Sequence, residues 1–367
     1  MNWRLLFRRL HLIVGLAVGL IVAAVGLSGS VLTFREEIEH ALYRPTVAPQ
    51  SSSVSLQTAY AKALSVEPDK RRVSIIVLPD KPEAPLEFVL SRRGARNLKD
   101  ADQLSLYANP FTGDVISQRL RNESFIAKLR DLHFALFAGT TGLQVNGWAA
   151  LALVFISLTG LVLWFQTKAR GKVFAVNWSA SWKRVTWDLH RLVGVVALIG
   201  LVLVALTGAY YPFRDTVQKW LTSAGPLPPR GSPTVAAQPG AQPLDADAIA
   251  DKARSALPDA RLVVLRPPTS PTQSWAATFH RGWDSGESSD SGPTAYFDPY
   301  TGAMLRLDDA RAMNFSGRLL KTIEPLHFGK LGGWPHKLLW ALLGLTPGLL
   351  LVSGFLMWRN RAGGRKS

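Results

Sequence analysis

Four stretches of this chain are continuously apolar, and the segments between them alternate. Residues 12–32 carry no charge, and neither do residues 132–167, whose densest apolar part is 148–165. Residues 192–213 and 338–358 are the third and fourth such stretches. Crossing a bilayer takes about 20 apolar residues, so each reads as a span. The first is too long for a leader's apolar region, so it is expected to be a span rather than a cleaved leader. Between the spans the period changes. Residues 56–64 and 244–257 have amphipathic helical spacing, while 72–78, 86–90, 104–107, 261–265, 275–279 and 294–297 read as strands. The Pro-x-Thr-Gly pieces at 110–113 and 299–302 are predicted turns between strands. Linkers rich in Pro, Ser and Gly lead into each of these regions, most plainly at 224–243.

The pattern is written twice. Leu10-His11-x-x-x-Gly15 recurs 179 residues later as Leu189-His190-x-x-x-Gly194, and the same offset carries Gly29 onto Gly208 and Phe34-Arg35-Glu36 onto Phe213-Arg214-Asp215. Tyr107-x-x-Pro110-x-Thr112-Gly113 matches Tyr296-x-x-Pro299-x-Thr301-Gly302 at an offset of 189. Leu132-His133-Phe134 matches Leu326-His327-Phe328 at 194, an offset that also relates Gly160 to Gly354 and Trp164 to Trp358. Offsets that hold within blocks and change only in loops predict a tandem duplication. Each half reads as helix, soluble domain, helix, and both halves enter the membrane in the same direction as parallel repeats. The expected fold is therefore a membrane α+β protein with four transmembrane helices, each half carrying a small α+β domain.

Charge orients this arrangement. The net charge of +16 comes with a positive mean hydropathy, as expected for apolar blocks separated by basic segments. Arg4, Arg8 and Arg9 precede the first span; Lys168, Arg170, Lys172, Lys183 and Arg184 follow the second; Arg359, Arg361, Arg365 and Lys366 follow the fourth. Asp188 is the only acid among them. The positive-inside rule makes that side cytoplasmic. The predicted order is a cytoplasmic N-terminus (1–10), helix 1 (11–34), an outside domain (35–131), an outer-face segment with helix 2 (132–167), and a cytoplasmic loop (168–188). Helix 3 (189–213), a second outside domain (214–326), an outer-face segment with helix 4 (327–358) and a cytoplasmic tail (359–367) complete it. Such a protein belongs in a bacterial inner membrane among lipid, with its soluble domains in the periplasm. The basicity then has a topological cause, and no nucleic-acid partner is expected.

Of seven histidines, four occupy duplicated positions: His11 and His190 at the inner face, His133 and His327 at the outer. A helix from His11 to Phe34 spans about 35 Å, so His11 and His133 cannot share a metal, whereas His11 can pair with His190 and His133 with His327. There is no cysteine, which excludes disulfides, thiolate sites, iron–sulfur clusters and covalently attached haem. Two imidazoles without repeated acids do not complete a zinc or di-iron shell. Haem brings four nitrogens of its own and asks for axial ligands and an apolar slot, so two non-covalent haem b groups are expected, one per pair. Gly15 and Gly194, one turn from His11 and His190, would let a flat ring approach. Arg35 and Arg214 are candidates for the outer haem's propionates, Arg8 and Arg191 for the inner haem's. The alternative is that these histidines and arginines snorkel and the glycines pack helices. His336 is a second candidate for the place of His327; His40 reads as a solvated helix end and His280 as a surface residue, with a substrate contact as its alternative role.

The Leu-His-x-x-x-Gly and Leu-His-Phe motifs with the Pro-x-Thr-Gly turns resemble those of the PepSY-associated transmembrane family, over nearly the whole chain. Within it, the chain is most similar to inner-membrane ferric-siderophore reductases of the FoxB type. The resemblance implies PepSY-like periplasmic domains, a di-haem core whose motif positions are His11, His190, His133 and His327, and reduction of a periplasmic ferric siderophore to release Fe(II). The siderophore is expected between the outside domains, on a basic surface. No Gly-x-Gly-x-x-Gly follows a strand, so the electron donor is expected to be a separate cytoplasmic protein or a quinol. The rival functions are a quinol-oxidising cytochrome serving another periplasmic acceptor, a siderophore permease without redox activity, and a regulatory binding protein. The spans as read contain no carboxylate, which counts against a proton-coupled permease.

Overall fold

The computed structural model describes residues 2–66, 70–93, 103–167, 174–223, 225–281 and 292–363. Lys168, Arg170, Lys172, Arg365 and Lys366, used above for orientation, lie outside the described residues. In chain order, α1 (Trp3–Leu32), α2 (Arg35–Tyr43) and α3 (Leu56–Leu64) lead into strands β1 (Arg71–Val77), β2 (Leu86–Arg92), β3 (Leu104–Ala108) and β4 (Val115–Leu120). Then come α4 (Phe125–Ala135), α5 (Gly139–Phe165), α6 (Trp182–Tyr210), α7 (Arg214–Thr222) and α8 (Ala246–Ala256). Strands β5 (Arg261–Arg266), β6 (Trp275–His280), β7 (Thr294–Phe297) and β8 (Met304–Asp308) are followed by α9 (Phe315–His327) and α10 (Gly333–Gly363). The chain divides into two compact units, a helical one (Met1–Phe34, Leu129–Trp220, Ile323–Ser367) and a sheet-bearing one (Arg35–Lys128, Leu221–Thr322).

In the helical unit, α1, α5, α6 and α10 are long and apolar enough to cross a membrane. They remain apolar on the outside as well, with Leu20 75% and Ile199 74% exposed, which suits lipid rather than water. α1 packs against α5 and α10, and α6 against the same two, so the four form a closed ring. Small residues permit the closest crossing: a Cβ on Gly26 would lie 2.6 Å from the Gly344 carbonyl oxygen, and Ser30 donates to the Ala341 carbonyl at 2.8 Å. Asp188, assigned above to a loop, is instead buried within α6 and paired with Arg184 and Arg191 at 3.1 and 3.3 Å. A carboxylate thus does lie within a spanning helix, but as a neutralised ion pair.

The other unit is one antiparallel sheet of order β4-β3-β2-β1-β5-β6-β7-β8. One small α+β domain per half was expected. Instead β1 and β5 pair through Ile76–Leu265 and Val77–Val264, and a single core runs across the join from Phe88 and Leu106 to Leu265 and Phe279. α3 and α8 cover that core and cap each other. Asp247 accepts from the Leu56 and Gln57 amides, both at 2.8 Å, while Gln57 accepts from the Ala246 amide at 3.1 Å. The turns fall where the sequence put them, with Gly113 at φ +76° and Gly302 at φ +70° in the left-handed region. Residues 35–128 and 221–322 together hold 24 Lys and Arg against 22 Asp and Glu, so nearly all the positive excess belongs to the helical unit.

Candidate histidine-pair sites

His11 lies in the third turn of α1 and His190 in the third turn of α6; their ring centres are 6.3 Å apart at an interplanar angle of 83°. His133, near the end of α4, and His327, the last residue of α9, have ring centres 6.2 Å apart at 53°. The four duplicated histidines are thus brought together in two pairs. The His11 pair packs beside residues 156–160, and the His133 pair beside residues 25–29 near the other end of α1. Gly29 and His11 are 18 residues apart on one helix, about 27 Å at the helical rise.

Every one of these rings is held through Nδ1. His11 Nδ1 lies 3.1 Å from the Ile156 carbonyl and 3.1 Å from Thr159 Oγ1. His133 Nδ1 lies 2.8 Å from the Val25 carbonyl and 3.1 Å from Ser28 Oγ. His190 is held by Ser353 Oγ at 2.8 Å and the Leu350 carbonyl, His327 by Thr207 Oγ1 at 3.0 Å and the Val204 carbonyl. Each ring also lies flush on a glycine. A Cβ at Gly29, Gly160, Gly208 or Gly354 would approach Cε1 of His133, His11, His327 or His190 to 2.8, 3.1, 3.1 and 3.5 Å. A side chain at Gly15 would meet nothing within 4 Å, and one at Gly194 would touch only Leu350 at 3.8 Å.

This chemistry suits a metal that supplies most of its own ligands. Among the described residues no three His, Asp or Glu side chains gather, so neither pair belongs to a larger protein-built shell. A metal–imidazole bond of about 2 Å on each side puts two trans imidazole ring centres roughly 6 Å apart. Both pairs have that separation, and both keep Nε2 clear of the bonds that hold Nδ1.

A model of the PepSY-associated TM region matches residues 8–361. The chain belongs to the PepSY-associated transmembrane family. No curated protein is similar enough to count as a match. As a family member with four spanning helices, it is a membrane protein.

The remaining candidates are placed differently. Arg191 is buried, bonded to the Ala175 carbonyl and over the Trp187 ring, and it shares the single Asp188 carboxylate with Arg184. Arg8 and Arg214 are exposed, and Arg35 belongs to the sheet-bearing unit, 3.9 Å from Glu36. His336 stacks on Trp340 with ring centres 4.0 Å apart, while it is His327 that faces His133. His40 ends α2 beside Arg44. His280, expected at the surface, is a correction: it is 6% exposed within β6, because both faces of that strand are covered. The sequence reading passed over Ser28, Thr159, Thr207 and Ser353. Their signal was the duplicated glycine that follows each of them.

Proposed function

We propose that this PepSY-associated membrane protein binds two b-type haems, one between His11 and His190 and one between His133 and His327, and carries electrons across a bacterial inner membrane to a periplasmic ferric siderophore. The observation that carries the reading is the two histidine couples, with ring centres 6.3 and 6.2 Å apart, near opposite ends of α1; they would hold one haem each. When bound, each haem supplies reversible one-electron exchange. The chain's own part is to hold Nε2 of four rings in position, keep the surrounding helices apolar, and exclude water through the close crossing of α1 and α10. Ferric siderophore as acceptor rests on the family resemblance and on chemistry: hard oxygen chelators hold Fe(III) more tightly than Fe(II), so a single electron loosens the complex. The near-neutral sheet unit offers no charge argument for an anionic chelate. The donor is a separate cytoplasmic protein or a quinol.

Absorption spectra of the detergent-purified protein, oxidised and dithionite-reduced, test the haem part. Two low-spin haems per chain are expected, falling to one on either His11→Ala or His327→Ala. A colourless protein after expression with ample haem overturns the reading and favours the permease. The acceptor part is tested separately: reduced protein mixed with a ferric hydroxamate should reoxidise as an Fe(II) trap fills. Loaded protein that stays reduced would point to another acceptor.

A further inference from the structure

Each histidine ring rests on the same five-residue pattern in another helix. The segments are Val25-Gly26-Leu27-Ser28-Gly29 in α1, Ile156-Ser157-Leu158-Thr159-Gly160 in α5, Val204-Ala205-Leu206-Thr207-Gly208 in α6 and Leu350-Leu351-Val352-Ser353-Gly354 in α10. In all four the fourth residue's hydroxyl approaches Nδ1 and the fifth residue is the glycine under the ring; the first residue's carbonyl lies at Nδ1 of His11 and His133, and the Leu350 and Val204 carbonyls hydrogen-bond the rings of His190 and His327. The pattern recurs four times where the duplication offsets alone require only two pairs of matches, and it serves both ends of the bundle. α1 carries both His11 and the pattern that holds His133 of α4, while α5 carries the pattern that holds His11. In the same way α6 carries both His190 and the pattern that holds His327 of α9, while α10 carries the pattern that holds His190.

We infer that this apolar-x-x-(Ser/Thr)-Gly pattern is a socket that fixes each histidine as its Nδ1–H tautomer, making Ser28, Thr159, Thr207 and Ser353 positioning residues for the four ligands. A carbonyl can only accept, so the ring nitrogen beside it must carry the hydrogen. The hydroxyl is an acceptor too, because its own proton is committed to its helix. Ser28 Oγ donates to the Ala24 carbonyl at 2.8 Å, Thr159 Oγ1 to Ile156 at 2.9 Å, Thr207 Oγ1 to Leu203 at 2.7 Å and Ser353 Oγ to Leu349 at 2.7 Å. Glycine at the fifth place lets the ring descend far enough to reach both acceptors. With Nδ1 protonated, Nε2 alone has a lone pair to offer a metal.

The tautomer assignment stands without a metal; its redox consequence rests on the haem reading. Hydrogen bonds from Nδ1–H enrich the ring with electron density and favour the oxidised iron. Losing one acceptor therefore raises the potential of the one haem concerned.

Redox titration of the purified protein, followed optically, compares Ser28→Ala and Thr159→Ala with Ser28→Thr and Thr159→Ser. With two haems still bound, Ser28→Ala should raise only the midpoint of the His133–His327 haem and Thr159→Ala only that of the other. The hydroxyl-preserving variants should leave both midpoints near their native values. Unchanged midpoints in haem-replete alanine variants would overturn the inference while leaving the haem reading intact. Protein prepared without haem gives the independent readout, by nitrogen-15 NMR of labelled imidazoles. Nδ1–H at all four histidines is expected, and Nε2–H at any of them overturns the socket whatever the spectra of the loaded protein show. A colourless protein with Nδ1–H histidines would sink the haem reading and keep the socket.

Discussion

The four glycines beneath the rings differ in how closely they are approached, and the differences are large enough to rank substitutions. At Gly29 an added Cβ would come within 2.8 Å of His133 Cε1, well inside contact distance, whereas at Gly354 it would stand 3.5 Å from His190 Cε1. On the proposed haem reading, Gly354→Ala should therefore leave both haems bound, while Gly29→Ala should lose the His133–His327 haem, read as pigment per chain. The rings also differ in mutual angle, 83° in one pair and 53° in the other. Low-spin ferric iron between perpendicular imidazoles gives a more anisotropic electron paramagnetic resonance signal than iron between rings nearer parallel. Two distinguishable signals are expected, with His11→Ala abolishing the more anisotropic one. A single signal shared by both sites would contradict the assignment of the pairs.

At the scale of elements, the join in the sheet depends on few residues. β1 and β5 share two registered residue pairs, extended by the Leu78 amide donating to the Val263 carbonyl at 2.9 Å, and the Asp247 carboxylate of α8 ties the covering helices together by bonding two α3 amides. Hydrogen bonds to a charged group contribute about 1.5–3 kcal/mol each, although part of that is recovered by water at this half-buried place. Asp247→Ala should destabilise the sheet unit by about 2 kcal/mol, with Asp247→Asn costing less; urea midpoints followed by protease susceptibility would measure it. The paired strands and both covering helices were legible from alternation and amphipathic spacing. The edge strands β4 and β8 were not. Val115–Leu120 and Met304–Asp308 place much of their side-chain surface in solvent, and an exposed edge strand lacks the apolar signature that marks a covered one. The short helix α7 was missed, and α2 was read only through a helix end at His40, for a similar reason: both are charged and directly follow spans, where a linker is expected.

For the whole molecule, the two units should fail under different conditions. Several carboxyls of the sheet unit titrate below the usual carboxylate range. Hydrogen bonds from the Arg281 guanidinium lower Asp259, one from Lys62 lowers Asp114, and the Thr301 amide lowers Asp298. Groups depressed by folding add stability above their unfolded pKa, about 4, and that stability is lost as pH falls through the folded values. The denaturation midpoint of the sheet unit should thus drop progressively below about pH 4. Asp259→Asn should flatten part of that drop. A profile unchanged between pH 5 and 2 would show these bonds to be spent on solvent. The helical unit instead depends on packing of small residues. Gly344→Leu, placed against Gly26 and Ser30, should open the α1–α10 crossing and cause aggregation in detergent, whereas the same change at Gly348, where an added Cβ meets nothing within 4 Å, should be tolerated.

What the sequence by itself determined is what local pattern can carry. Four uncharged apolar runs can only be buried or lipid-facing, alternation marks the covered strands, and an Asx-Pro-x-Thr-Gly segment needs a left-handed glycine wherever it occurs. Matching offsets also singled out His11, His190, His133 and His327 before any geometry was known. The tertiary structure alone decided what lies across from what. The hydroxyls that hold the rings are 105 to 163 residues distant from them, the two soluble segments merge through β1 and β5, and Asp188 and His280 are buried rather than solvated. No periodicity within one segment encodes such relations. They arise because helices bring distant faces together, and a serine or glycine acquires its role only from the ring packed on it.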